Sequence, residues 1–427
     1  MRRLLLLVAC SLLGTGCQAA PLAFDPSADD LADVDVGPAP APPPQPAPAP
    51  QIRVPLAPAI AIPRGLPLDR AWEHRWTGRR QFGAYATDLA VSPRGDIAVT
   101  ALEATTPDRP ILLVYARDGS LQWSADVPEA KLFAVTFADG GDIVVAGETV
   151  GARRAWVRRY SPRGRVRWTH AHLADGAHWA SASNVAIDGR GDVVLAGLHR
   201  RHGQPPALLL QKLSPMGRPR WTVESTRHAS PPALALDAAD GIYVTSGYYD
   251  PWVAAYAGDG RELWHVELPV HEQRGTDLVV RDTQVFVATG DYAADPEPTS
   301  YIHLVDTRGT LRWSRRLSAP PGAAVRLAAI ALASDGDILV TGAAYEPGRP
   351  TFDVFVASLG ADASAVAWWD RAGADGEHME TGAAIAPDGA GGLVLLATAG
   401  FGDQFQAWLQ RFAPDEVGAA VAPAGGL

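Results

Sequence analysis

The sequence predicts an all-β chain whose folded part is a seven-bladed β-propeller of four-stranded blades. Three observations lead there. Short alternating strands recur behind tight turns at intervals of 43 to 55 residues. A tryptophan series of similar period interleaves with them. At the two ends of the chain the series are out of step by one strand, as a ring closed by its own N-terminal strand requires.

The N-terminal elements precede the repeats. Arg2 and Arg3, followed by the apolar run Leu4 to Leu13, read as a signal peptide over residues 1–16, since about ten apolar residues are too few to span a bilayer. The following Leu13-Gly14-Thr15-Gly16-Cys17 resembles a bacterial lipobox, with Gly14 departing from the leucine usual there. The resemblance implies lipidation at Cys17, the only cysteine left after cleavage because Cys10 lies in the apolar run. Gln18 is not the aspartate that retains some lipoproteins at the inner membrane, so the implied destination is the outer membrane or cell surface. A secreted soluble protein cut near Gln18-Ala19-Ala20 is the alternative. Residues 17–69 carry an acidic stretch, Asp25 to Asp35, and then PAPAPPPQPAPAP from Pro38 to Pro50. Such a polyproline spacer extends roughly 40 Å at about 3.1 Å per residue. These residues are expected to form a disordered tether, and residues 416–427, rich in Ala and Gly, a disordered tail.

The propeller is expected over residues 70–415. Its central strands are DIAVTAL from Asp96, DIVVAGE from Asp142, DVVLAGL from Asp192, GIYVTSG from Gly241, QVFVATG from Gln284, DILVTGA from Asp337 and GLVLLAT from Gly392. Most follow a turn such as SPRG or DGRG, itself preceded by another apolar strand such as DLAVS. Period-two alternation between turn signals, without helical periodicity, means all-β structure. The tryptophan series is Trp76, Trp123, Trp168, Trp221, Trp264, Trp313 and Trp369. Five of these lie four residues after a turn glycine, as in YSPRGRVRW, which makes each a hairpin whose second strand carries a large aromatic. Packing between adjacent blades is their expected role. The last unit ends after AWLQRFAP with no tryptophan strand, and AWEHRW from Ala71 to Trp76 stands before the first unit. That segment is expected to join the C-terminal blade and close the ring, removing free edges.

The combination of apolar strand, D-x-x-G-D-I-x-V-x-G and G-x-x-x-W resembles the SBBP-type and PQQ-like propeller repeats of bacterial exported proteins, over residues 71 to about 413. The resemblance implies the fold and says little of function. Quinoprotein dehydrogenases have similar repeats but use eight blades and paired cysteines by the cofactor. Seven blades without cysteine imply that PQQ is not bound, and no cofactor is expected.

Composition narrows the functions. With 37 Lys and Arg against 47 Asp and Glu the net charge is −10, which disfavours nucleic acid and anionic membrane surfaces as partners. Contact with the membrane is expected through the lipid anchor only, and the chain is expected to be monomeric. The sequence lacks C-x-x-C, H-E-x-x-H, G-x-S-x-G, S-x-x-K and a phosphate loop, so no catalytic residue is assigned. Arg94-Gly95-Asp96 occupies the same turn as Arg190-Gly191-Asp192 and is read as a turn. His170 and His172 alternate on one strand face, and Asp188/Asp192 and Asp335/Asp337 flank turns; solvation and turn formation explain them without zinc or calcium.

One asymmetry points to a binding face. Turns within the inner and outer hairpins are short, whereas the remaining connections share the opposite face and are longer. The latter carry His178, Trp179, Arg200, Arg201, His202, Tyr248, Tyr249, Asp250, Trp252, His271, Glu272, Asp291, Tyr292, Tyr345, Glu346 and His378. Six of the eleven histidines, at 178, 199, 202, 228, 271 and 378, are expected in these loops. Varied aromatic and charged loops on a rigid scaffold are where binding concentrates. The first expectation is a non-catalytic scaffold that binds an envelope protein, a role with a parallel in the outer-membrane barrel-assembly lipoprotein. The second is a carbohydrate-binding propeller using Trp179, Tyr248, Tyr249 and Trp252 as platforms. The third is a hydrolase or lyase with His and Asp/Glu at the central funnel.

Overall fold

The computed structural model describes residues 60–61, 70–76, 83–103, 105, 108–247, 249–291, 299–318, 324–345, 352–360, 365–369, 379–401 and 404–412. The signal peptide, Cys17, most of the expected tether and residues 416–427 lie outside them. The chain divides between Val54 and Pro55, and everything described belongs to the C-terminal unit.

Seven blades of four antiparallel strands follow one another, as predicted, and the sheet of blade 5 gains a fifth, parallel strand at its outer edge. Blade 1 runs Ala84–Val91, Ile97–Glu103, Arg109–Tyr115 and Leu121–Asp126 from inner to outer strand. The inner strands of blades 2 to 7 are Ala130–Phe137, Ala177–Ile187, Ala233–Leu236, Gln273–Arg281, Ala324–Leu332 and Met379–Pro387. Each touches the inner strand of the next, and Met379–Pro387 returns to Ala84–Val91, so the ring is closed. In six blades the inner strand carries a bulge at one level, as between Ala86 and Asp88 or between Gly275 and Asp277. A bulge adds local twist and bends the strand where the sheets crowd around the axis.

Blade 7 is completed from the N terminus. Arg70–Trp76 pairs antiparallel with Gln404–Phe412, Trp72 opposite Arg411 and Trp76 opposite Ala407. Ile60–Ala61 departs from the disorder expected of residues 17–69: its backbone pairs parallel with Leu317 and Ser318 on the outer strand of blade 5, Leu311–Ser318. An outer strand presents unpaired N–H and C=O groups, and the added strand satisfies some of them.

The core consists of seven apolar clusters among the described residues, each filling the space between two adjacent blades. Second and third strands are therefore covered on both faces. Ile143–Thr149 is buried over its first six residues and Ala207–Leu213 throughout, which is why these strands read as apolar runs. Outer strands alternate instead, as in Val166–His172.

The tryptophans join successive blades by a repeated contact. The indole N–H of Trp123, Trp168, Trp221 and Trp264 donates to the carbonyl of Pro162, Pro215, Gly258 and Thr307, each in the outer hairpin turn of the next blade, at 2.8–3.0 Å. Their rings lie on the turn glycines Gly164, Gly217, Gly260 and Gly309, whose φ values of 76–88° exclude side chains and where a Cβ would come within 2.6–3.1 Å of the indole. In blade 7 the equivalent residue is Trp72, which donates to the Arg117 carbonyl at 3.1 Å and covers Gly119. The expectation that Trp76 belongs to the series is thus corrected. Trp72 pairs with Arg411 as Trp168 pairs with Arg159, while Trp76 lies four residues further along. Trp369 is out of register too: Ala367, opposite Ser358, holds the position that Trp123 holds opposite Val114. Blade 7 has no turn between its third and outer strands, so blade 6 has no turn to cap.

Candidate functional site

Alternating strand direction divides the connections between two faces. Inner and outer hairpin turns occupy one, closed by side chains. Asp188 accepts from the Arg190 and Asp192 amides through Oδ1, and Ser92 accepts from the Arg94 and Asp96 amides through its hydroxyl oxygen. The Asp188 carboxylate also meets Lys212 at 2.6 Å, so its charge is satisfied within the fold. Arg94-Gly95-Asp96 is a turn of this face. The second-to-third and blade-to-blade connections form the opposite, long-loop face.

Two groups of the candidate residues come together there. The first spans blades 2 and 3. His178 is the bulged residue between Ala177 and Trp179 in the inner strand of blade 3 and stacks on His202 with centroids 4.3 Å apart. Trp179 donates its indole N–H to Glu148 at 2.8 Å, and the Arg153 guanidinium lies 5.5 Å above the indole ring. Arg201 is bound inward, to Glu224 at 2.6 Å and to the Asp175 carbonyl at 3.1 Å. Desolvation in the stack, together with His202, Arg200 and Arg153, holds the His178 imidazole below its ordinary pKa. Sequence reasoning missed Glu148 and Arg153, although the Val150-Gly151-Ala152 turn beside them marks a projecting hairpin.

The second group spans blades 4 and 5. Asp250 and His271 are 2.8 Å apart, and both are exposed. The Gln273 amide donates to the Tyr249 carbonyl at 3.1 Å, tying the two loops together. Tyr249 is 50% exposed. It has φ 75° and Glu272 has φ 58°, a left-handed conformation unfavourable for side chains of this size and held only by surrounding structure. Asp291 is turned inward, accepting from the Thr299 hydroxyl at 2.9 Å and Gln273 Nε2 at 3.3 Å. Tyr248, Tyr292, Glu346 and His378 lie outside the described residues.

Two expectations are corrected. Trp252, read as an exposed platform, begins the third strand of blade 4 and is 4% exposed, its indole N–H donating to the His228 carbonyl at 3.2 Å. His199, read as a loop residue, lies inside Val193–Arg201 and is 2% exposed, its Nε2 3.0 Å from the Ser225 carbonyl. Trp252 packs into the core between blades 3 and 4, where burial of an aromatic ring outweighs its polar edge, and His199 is buried with its imidazole against the outer strand of blade 3. His199, Arg201, Gln204, Ser225 and His228 line a cleft of about 280 Å³ beside the first group.

On the central channel sequence reasoning missed two carboxylates. Asp88 accepts from the amides of Leu89 and, across the blade boundary, Val135, both at 2.8 Å. Asp277 does the same with Leu278 and Ile330, both at 2.8 Å. The recurrence of Thr-Asp-Leu at residues 87–89 and 276–278 was the available signal. Burial pushes both carboxyls up to about 7. Both take up neighbouring amides rather than an imidazole. Elsewhere, His170 meets Gln211 at 3.1 Å and His172 faces Glu224 at 3.7 Å. No group of three or more metal-ligating side chains occurs among the described residues.

This geometry defines a class, a seven-bladed β-propeller with an aromatic, charged long-loop face. Residues 209–368 match the family model described as outer membrane protein assembly factor BamB. The WD40 domain at the C terminus of Sif2 aligns with a TM-score of 0.50 at 12% identity, over 82% of this chain and 99% of that one. BamB from Moraxella catarrhalis aligns with a TM-score of 0.43 at 14% identity, over 80% of this chain and 99% of that one. At 12% identity the likeness to Sif2 is one of fold. No curated protein sequence matches the chain.

Proposed function

We propose that this chain is a non-catalytic scaffold, exported and anchored by lipid at Cys17, whose propeller binds an envelope protein through the long-loop face. The observation that carries the proposal is the convergence of Tyr249, Asp250, His271 and Glu272 from two separate connections of blades 4 and 5. They form an exposed aromatic and charged patch on rigid strands. Two of its residues hold unfavourable backbone conformations, which a fold retains where the loop shape matters. The match to an outer membrane protein assembly factor supports an envelope setting and a protein as the partner. Carbohydrate binding is less well supported, since Trp252 is enclosed and Trp179 is held beneath Arg153.

The experiment is cross-linked capture from envelope extract with the mature chain, the captured protein being identified by mass spectrometry. An envelope protein retained by the natural chain and lost with Tyr249→Ala/His271→Ala supports the proposal. Capture that ignores both substitutions speaks against this patch.

A further inference from the structure

Charge is unevenly spread over the long-loop face. Across blades 2 and 3 Arg153, Arg154, His178, Arg200 and His202 are all exposed, although the whole chain carries −10. Their carboxylate partners lie deeper: the Glu148 side chain is 10% exposed where Arg153 above it is 57% exposed. Glu224 is likewise drawn inward by Arg201. Two exposed carboxylates lie nearby: Asp175, whose backbone carbonyl is occupied by Arg201, and Glu129, whose carboxylate is paired with Arg158 and whose carbonyl accepts from the Val150 amide. Cationic side chains therefore outnumber free carboxylates at the outer level of this cluster. His178 lies close enough to His202, Arg200 and Arg153 for their charges to add to desolvation in holding its imidazole below the ordinary pKa. Arg153 is held at φ 49°, which keeps its guanidinium over Trp179. Val150, 57% exposed at the tip of the same loop, adds an apolar contact.

We propose that this cluster docks a short acidic peptide segment of a partner protein, carboxylates lying between the Arg153-Arg154 loop and Arg200. The inference rests on the long-loop face being the binding face, and it names the chemistry of what binds there. A divalent cation does not suit two imidazoles flanked by arginines. An extended polyanion such as duplex nucleic acid or an anionic bilayer meets the repulsion of the remaining negative surface. A short acidic segment engages the local field alone, and its side chains can use Val150 and Trp179.

The test is fluorescence anisotropy of a labelled eight-residue Asp/Glu peptide against the full mature chain, with an oligolysine peptide and duplex DNA as comparison probes. Binding of the acidic peptide alone is expected, weakening as salt is raised. Arg154→Glu/Arg200→Glu should weaken it at least tenfold. Arg163→Glu/Arg190→Glu makes an equal charge change in exposed turns of the opposite face and should leave affinity within twofold. Thermal melts confirm that both variants fold. The inference is overturned by absence of binding at low salt, by equal losses in both variants, or by DNA binding as tightly as the peptide. Envelope-protein capture separates the two proposals. If capture responds to Tyr249→Ala/His271→Ala while the acidic peptide fails to bind, only this inference falls. If capture ignores every change on the face, the binding-face proposal falls as well.

Discussion

At the scale of residues, the tryptophan contact between blades is the repeated unit of stability. Trp168 combines burial against Gly217 with a hydrogen bond to Pro215. Trp168→Phe removes the hydrogen bond and should cost about 1 kcal/mol. Trp168→Ala removes the ring as well and should cost about 3 kcal/mol in urea unfolding. Equal losses in the two variants would mean that packing contributes nothing. Titration is a second property at this scale. Asp88 has a folded pKa of about 7 against an ordinary value of 3.8, so the proton it retains favours the folded state. That contribution is lost as pH rises from about 4 to 7. His303 acts oppositely: burial pushes it down to about 3, so its contribution grows as pH rises toward 6.5. The whole-protein profile sums these with Asp277, which is raised like Asp88, and Asp88→Asn isolates the share of Asp88. The stability difference between natural chain and variant should shrink from pH 5 to pH 8; a constant difference would show that Asp88 does not titrate in this range. Neither Asp88 nor Asp277 stood out by periodicity, because one bulged position breaks the alternation that would mark them as facing the channel.

At the scale of elements, strands and turns were legible because each repeat states its period, its turn glycine and its tryptophan. Registration failed where one of those marks was missing. Arg70–Trp76 carries two tryptophans four residues apart and no preceding turn glycine, so the spacing points to Trp76 while Trp72 fills the place. Trp252 and His199 were misplaced for another reason: strand ends cannot be located to one residue from alternation, and both lie just inside a strand. The pairing of His178 with His202 depends on a bulge and could not be read from spacing. Ring closure gives the clearest test here. Deleting residues 1–69 should leave cooperative unfolding intact. Deleting residues 1–76 exposes the edge of Gln404–Phe412 and uncovers Gly119, and should lower stability by several kcal/mol, on the order of burying two tryptophans. If calorimetry finds equal melting temperatures for the two truncations, Arg70–Trp76 does not close the ring in solution.

At the scale of the whole molecule, seven interblade cores hold the blades of the propeller together, with compact turns on one face and chemically varied loops on the other. The fold was predicted correctly from sequence because it repeats. The site was legible only as a face, because a loop's chemistry shows in sequence while its partner across the blade boundary does not. The proposed lipid anchor is tested at this scale as well: radiolabelled palmitate should enter the natural chain and not Cys17→Ser, and label in both would place the modification elsewhere. The most direct test of binding through the long-loop face is capture of an envelope protein by the mature chain, repeated with Tyr249→Ala/His271→Ala. Loss of at least nine-tenths of the captured protein, with the melting temperature unchanged, is the expected result. Undiminished capture by that variant, and by Arg154→Glu/Arg200→Glu, would contradict a role for this face.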